Sequence, residues 1–201
     1  MKIESVEDLR HLYGTPSERA VKKQLNQLEK HSRRFIELSP FAVVSTTSKE
    51  AKMDASPRGG DPGFAKVLND KTIILPDFKG NNRVDSLTNI VETGTIGLLF
   101  LIPGLDETLR LNGKAYISVS PEHIQLFKNE KFLPKSCIVI QVEEVFMHCA
   151  KAFMRSKLWA PESHINASDF PSMGQILKDQ MKSDAPAESR SDMIQRYRQD
   201  L

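Results

Sequence analysis

Three stretches of the 201-residue chain combine residue types and spacings that could do chemistry. DASPRGGDPGF (54–64) places Ser56 and Arg58 just after a predicted strand, ahead of Gly59, Gly60 and Gly63. Glycines let backbone N–H groups approach an anion closely, and arginine offers a planar fork of donors to phosphate oxygens. A long hairpin loop with ordinary turn residues would read the same way. LPDFKGNNRVDSL (75–87) ends a strand at Pro76, and Asn81 or Asn82 suits the N-cap of a helix beginning near Arg83. Arginine in a first helical turn opposes the helix dipole, which a bound anion would relieve. The plain alternative is an exposed arginine beside a capped helix. FMHCAKAFMRSKLWAPESH (146–164) holds the only tryptophan, Trp159, preceded by Lys151, Arg155 and Ser156. Lys151, Arg155, Leu158 and Trp159 can share a helical face. Tryptophan beside cations suits a flat anionic ligand, although a surface helix with its Trp anchored in the core is the simpler reading.

Other chemistries find little support. The histidines (His11, His31, His123, His148 and His164) show no paired metal spacing. His148 and Cys149 are adjacent on a predicted strand and so point to opposite faces, which argues against a zinc site. There is no P-loop, no G-x-G-x-x-G after a strand and no nucleophile elbow. Asp54, Asp61, Asp77 and Asp106 lie near predicted turns, where aspartate is an ordinary turn residue. Lys plus Arg is 28 against 26 for Asp plus Glu, a net charge of +2 that lacks the basic excess of a nucleic-acid or membrane-surface binder. Hydrophobic residues at 39% and charged residues at 27% exclude a disordered chain and a membrane protein. Two cysteines, Cys137 and Cys149, are too few for a disulfide framework and are expected to be inert core thiols. MKIESVEDLRHL carries acidic residues where a signal peptide needs an apolar run, so a soluble cytoplasmic protein is expected.

These segments need elements to position them. Apolar spacing predicts a helix over 6–13 and, after Thr15-Pro16, a helical stretch with Val21, Leu25 and Leu28 on one face, continuing through Phe35, Ile36 and Leu38. Ser39-Pro40 ends it. The pattern then turns to strands: 41–48, its hairpin partner 52–57, 72–76, 95–104 (apolar on both faces and so central), 107–120 and 135–149. Asn112-Gly113 inside the fifth strand reads as a hairpin turn or a bulge, and the short flanks favour a bulge. Helices are expected over 82–92 and 121–128, around 151–159 and over 173–181, with 184–201 a terminal helix or a frayed tail. Six strands with few intervening helices point to a mainly β fold, a closed or nearly closed antiparallel barrel, since closure removes exposed edges. Residues 1–38 would be a helical segment packed on the barrel, 39–160 the barrel itself and 161–201 a helical extension.

The runs SPRGGDPGF, LPDFKGNNRVDSL, GLLFLIPG, ETLRLNGKA and CAKAFMRSKLW, in this order between about residues 40 and 160, resemble the pyridoxamine 5′-phosphate oxidase-like flavoproteins. The likeness is to the branch of FMN-dependent enzymes whose substrates are unknown. It implies a six-stranded FMN-binding split barrel, a homodimer with FMN at the subunit interface, and hydride transfer through flavin N5. Carried over by position, Ser56 and Arg58 would line the flavin groove, Pro76 and Asp77 would flank the isoalloxazine, and Asn82 and Arg83 would hold the phosphate, assisted by Arg58 or Lys79. Arg110 would lie near the ring or the dimer mate, and Lys151, Arg155, Ser156 and Trp159 would come from the other subunit. A phosphate of about −1.5 to −2 charges suits these donors, and Lys151 or Arg155 could stabilise the negative charge that a reduced flavin develops. Pyridoxamine phosphate oxidases end in a Trp- and Arg-containing strand, whereas this sequence ends in SDMIQRYRQDL, so their product-forming activity is not carried over. The alternative is a split barrel that binds flavin or another ligand without turnover.

Overall fold

Alternating burial along the strands organises the computed structural model, which describes residues 2–200. β1 (Phe41–Thr47), β2 (Met53–Gly59), β3 (Lys66–Asn69), β4 (Thr72–Asp77), β5 (Thr95–Leu101), β6 (Thr108–Ser118) and β7 (Ser136–His148) form one antiparallel sheet in the order β2-β1-β5-β6-β7-β4-β3. Ala42, Val44, Leu98, Phe100, Leu109 and Leu111 point inward from β1, β5 and β6 and are almost fully buried. Across the core they meet Ile73 and Leu75 of β4 and Ile138 and Ile140 of β7. β4 is buried on both faces, because Ile74 joins Phe127, Cys137 and Val139 in a second cluster on its other side. That cluster lies beneath α5 (Pro121–Ile124) and the 3-10 turn that follows.

The sheet has one strand more than expected. β3 is hidden from a sequence reading because it is four residues long and alternates poorly, its burial running from half-buried to exposed. It is an edge strand, and short edges resist pairing with other chains. The predicted bulge is present, and β6 runs unbroken through Asn112-Gly113. Asn112 pairs with Glu144 and Gly113 with Val142, so the extra residue is Glu143 on β7. A Cβ on Gly113 would stand 2.0 Å from the Gln141 carbonyl oxygen, which explains why glycine occupies this position.

α1 (Val6–Tyr13) forms as the spacing predicts but buries no residue, so the expected packing of the whole N-terminal segment on the barrel does not hold there. The single helical stretch expected beyond Pro16 is divided. α2 (Glu18–Lys22) is followed by an extended crossing in which Leu25 bridges Val145, and α3 (Lys30–Leu38) buries Ser32, Phe35 and Ile36. The capping box of Glu29 with Ser32 explains why the helix restarts there. α4 (Asp85–Thr93) follows β4. α6 (Lys151–Ser156), α7 (Met173–Met181) and α8 (Arg190–Tyr197) complete the chain, so most of the polar C-terminal stretch is helical. Among the described residues, no helix is long and apolar enough to cross a membrane.

Candidate functional site

β2 opens the site. Its side chains alternate between exposed and half-buried, which puts Asp54, Ser56 and Arg58 on the same side of the strand. Ser56 and Arg58 therefore lie within a strand and not in a loop after it. That face looks into a cavity of about 830 Å3, walled also by the end of β4, the loop 78–84, the first turn of α4, residues 130–132 and Asp200. β2 and β4 are not paired in the sheet, and the cavity occupies the split between them.

Arg58 is the centre of this wall. One terminal nitrogen donates to Ser56 Oγ and to the Pro57 carbonyl oxygen, the latter at 3.0 Å. The other lies 3.5 Å from Asp77 Oδ1. Its Nε is buried and meets no acceptor among the described residues, a state that ordinarily costs about 1–3 kcal/mol. Asp77 ends β4 and is only 19% exposed. Burial raises its pKa above the usual carboxylate range, and the positive charges of Arg58 and Lys135 only partly oppose that shift. The adjacent Cys137 is pushed up to about 11 by burial and by the negative charge of Asp77, so its thiol is inert. Cys149, in contrast, is exposed, and the backbone N–H of Lys151 draws its pKa down, so only one of the two thiols is a core residue.

The loop after β4 departs from the expected geometry. The helix opens at Asp85, two residues beyond Arg83, and Val84 is its N-cap without a side-chain hydrogen bond. Asn82 and Val84 both have positive φ, 60° and 53°. The left-handed region is tolerable for Asn and strained for a β-branched residue. Arg83 Nε donates to Asp85 Oδ2 at 2.8 Å, while Asn81 Oδ1 accepts from the Arg83 backbone N–H at 3.1 Å. The predicted conflict of Arg83 with the helix dipole is thus met by Asp85. α4 itself is pinned to the sheet by polar contacts, since Ser86 Oγ donates to Asp54 and Asn89 Nδ2 donates to Thr46 Oγ1 at 2.9 Å. Asp54, expected to be a turn residue, instead anchors the helix from β2. Lys79, on the same loop, is paired with Asp200 at 2.7 Å.

Six of the predicted site residues, Ser56, Arg58, Pro76, Asp77, Asn82 and Arg83, line this one cavity. Arg110, Lys151, Arg155, Ser156 and Trp159 do not. Lys151, Arg155 and Ser156 lie exposed on α6. Lys157, with φ 49°, ends that helix, so Leu158 and Trp159 are not on its face as the spacing suggested. Trp159 stacks on Phe153 at 5.6 Å and donates from Nε1 to the Leu105 carbonyl oxygen at 3.0 Å. Arg110 sits on the outer face of the sheet, in a cross-strand row of Val43, Leu99, Arg110 and Phe146 set by the strand registers. All four are half-buried, and Val43, Leu99 and Arg110 each lie between two buried neighbours in the chain. Arg110 pairs with Glu144 at 2.5 Å and covers the Phe146 ring at 4.2 Å, yet its Nε also lacks an acceptor. Lys131, Lys135 and Asp200 line the cavity without any signal in the sequence, because they come from a loop before β7 and from the far end of the chain.

A curled antiparallel sheet, open between two strands that are not paired with each other and flanked by helices, is a split β-barrel. The chain belongs to the pyridoxamine 5′-phosphate oxidase family, whose sequence model it matches over residues 28–149. No curated protein matches it. The structure is similar to that of HupZ from Group A Streptococcus, at 19% identity and a TM-score of 0.51, over 60% of this chain and 93% of that one. A point variant of HupZ gives the same identity and TM-score and is covered over 98% of its length. An FMN-binding protein from Syntrophomonas wolfei is more distant, at 15% identity and a TM-score of 0.45, with 72% of this chain and 97% of that chain covered.

Proposed function

We propose that this protein is an FMN-dependent oxidoreductase that works as a homodimer, with the flavin held in the cavity between β2 and β4 and completed by the partner subunit. The observation that carries this reading is the buried, unpartnered Nε of Arg58, a residue in the wall of a cavity of about 830 Å3. That volume is within the range of small-molecule sites. A donor so placed calls for an acceptor from a ligand, and the flavin ring edge and phosphate both offer acceptors. Asn82, Arg83 and Lys79 would hold the phosphate, and Ser56, Arg58, Pro76 and Asp77 would border the ring. Membership of the pyridoxamine 5′-phosphate oxidase family supports the choice of a phosphorylated, ring-containing ligand.

The second copy has its own support. The row Val43–Leu99–Arg110–Phe146 sets three half-buried apolar side chains around one arginine whose Nε has no acceptor among the described residues. A partner on this face would cover the strip and could bring Lys151, Arg155, Ser156 and Trp159 toward the flavin. When bound, FMN supplies hydride exchange at N5. The residues of this chain would orient the ring, stabilise its negative charge and keep the cavity shielded.

Reconstitution tests the reading. Protein purified and incubated with FMN should be yellow and dimeric, and a nicotinamide donor should bleach the flavin, with colour returning in air. A colourless preparation that ignores FMN overturns the proposal. A flavin that stays oxidised with every physiological donor replaces oxidoreductase with the binding-only reading.

A further inference from the structure

Three cations of the cavity wall are each already held by a carboxylate. Arg58 faces Asp77, Arg83 pairs with Asp85, and Lys79 pairs with Asp200. The first two carboxylates belong to the barrel and to α4. Asp200 comes from the far end of the chain, 121 residues away from its partner. Building on the flavin phosphate reading above, we propose that residues 161–200 form a strap whose Asp200 competes with the ligand's phosphate for Lys79.

The strap is constructed to deliver that carboxylate. Gly174 on α7 lies so close to the segment before α8 that a Cβ would stand 2.1 Å from the Glu188 carbonyl oxygen. Arg190 donates to the carbonyl oxygens of Ala167 and Phe170 at 3.0 and 3.3 Å, which ties the start of α8 to the segment before α7. Arg196 makes two hydrogen bonds to Glu188, at 3.0 and 2.8 Å, and Ser189 caps the helix. The last turn closes through the Asp200 N–H on the Tyr197 carbonyl oxygen at 2.9 Å. At the barrel, Lys131 reaches the Arg198 carbonyl oxygen at 3.5 Å. Lys79 and Lys131 are both cavity residues, so both of these strap-to-barrel contacts fall at the cavity mouth.

The latch is weak because it is exposed. Lys79 and Asp200 are 64% and 41% exposed, and solvent screens such pairs. A phosphate with close to two negative charges displaces a single carboxylate. The strap thus tunes affinity and never blocks entry.

Affinities for FMN, riboflavin and inorganic pyrophosphate, measured by flavin fluorescence and calorimetry at low salt, test the proposal on the full chain. Asp200→Asn should tighten FMN and pyrophosphate about threefold, the range expected for an exposed ion pair, and leave riboflavin unchanged. In a Lys79→Ala background the same substitution should have no effect, and 0.5 M salt, where the screening length is about 4 Å, should erase the gain. An equal gain for riboflavin, no gain for either phosphate ligand, or a loss for both overturns the proposal. If FMN binds no variant while pyrophosphate still tightens in Asp200→Asn, the flavin reading fails and the strap stands. If FMN binds but shows no dependence on Asp200, the strap fails and the flavin reading stands. A cavity that takes neither FMN nor pyrophosphate overturns both.

Discussion

At Arg58 a buried guanidinium has more donors than acceptors. Its two terminal nitrogens are engaged, but Nε is not. Arg58→Ala should weaken FMN binding by about 10- to 100-fold, as expected for the loss of charge-assisted hydrogen bonds of roughly 1.5–3 kcal/mol, measured by fluorescence titration. Arg58→Lys should not restore it, because an ammonium lacks the planar fork. Asp77 makes an opposite contribution. Burial raises its pKa, so between the usual carboxylate range and that raised value the folded state binds more protons than the unfolded state. Stability must then fall as pH rises through this window and level off above it. Asp77→Asn should remove that decline, so its melting temperature should exceed the parent's at neutral pH and converge with it in acid. A constant difference across pH would show that Asp77 acts by packing alone. Ser56 and Arg58 are legible as a pair because alternation along a strand places i and i+2 together. Asp77 reads as a turn residue in the sequence because its environment is built by β2, which is distant along the chain.

The elements that carry these residues are strained in one place and tight in another. Val84 holds a left-handed conformation at the head of α4, half exposed at 49%. Little burial is lost when it is replaced, so Val84→Asn should relieve strain, because asparagine tolerates the left-handed region, and stabilise the protein by about 1 kcal/mol. The melting temperature should rise by about 2–4 °C. No rise would mean that the loop relaxes without cost. Gly113 is the reverse case. Alanine there meets the Gln141 carbonyl oxygen at 2.0 Å, and Gly113→Ala should cost about 3 kcal/mol or more in denaturant unfolding. The bulge is readable from Asn-Gly in a run too short for two strands. The start of α4 is not, because Asn81 and Asn82 are good caps that the chain uses in the preceding turn, where Asn81 accepts from Arg83. β3 escapes notice because four residues at an edge carry too little periodicity to be seen.

At the scale of the whole molecule, Trp159 tests the proposed homodimer. Trp159 is the only tryptophan, so its emission reports one position. It stacks on Phe153 outside the cavity of its own chain. If a partner brings it to the flavin, FMN should quench Trp159 emission in the dimer, and dilution should restore the emission as dimers dissociate, with FMN released in parallel. Quenching that survives in monomers would place the tryptophan near the flavin of its own subunit and remove Trp159 from the partner's contribution.

Local sequence was enough for every strand except β3, for the bulge and for the helices α1 and α7, because period, turn chemistry and capping are short-range properties. The resemblance across residues 40–160 was enough for the family, since motif order survives where overall identity does not. The tertiary structure alone decided that Arg58 is left with a free donor, that Asp77 is buried beside it, and that Asp200 reaches Lys79. Each of these depends on desolvation and on the approach of segments far apart in the chain, and none is written in the residues that surround them.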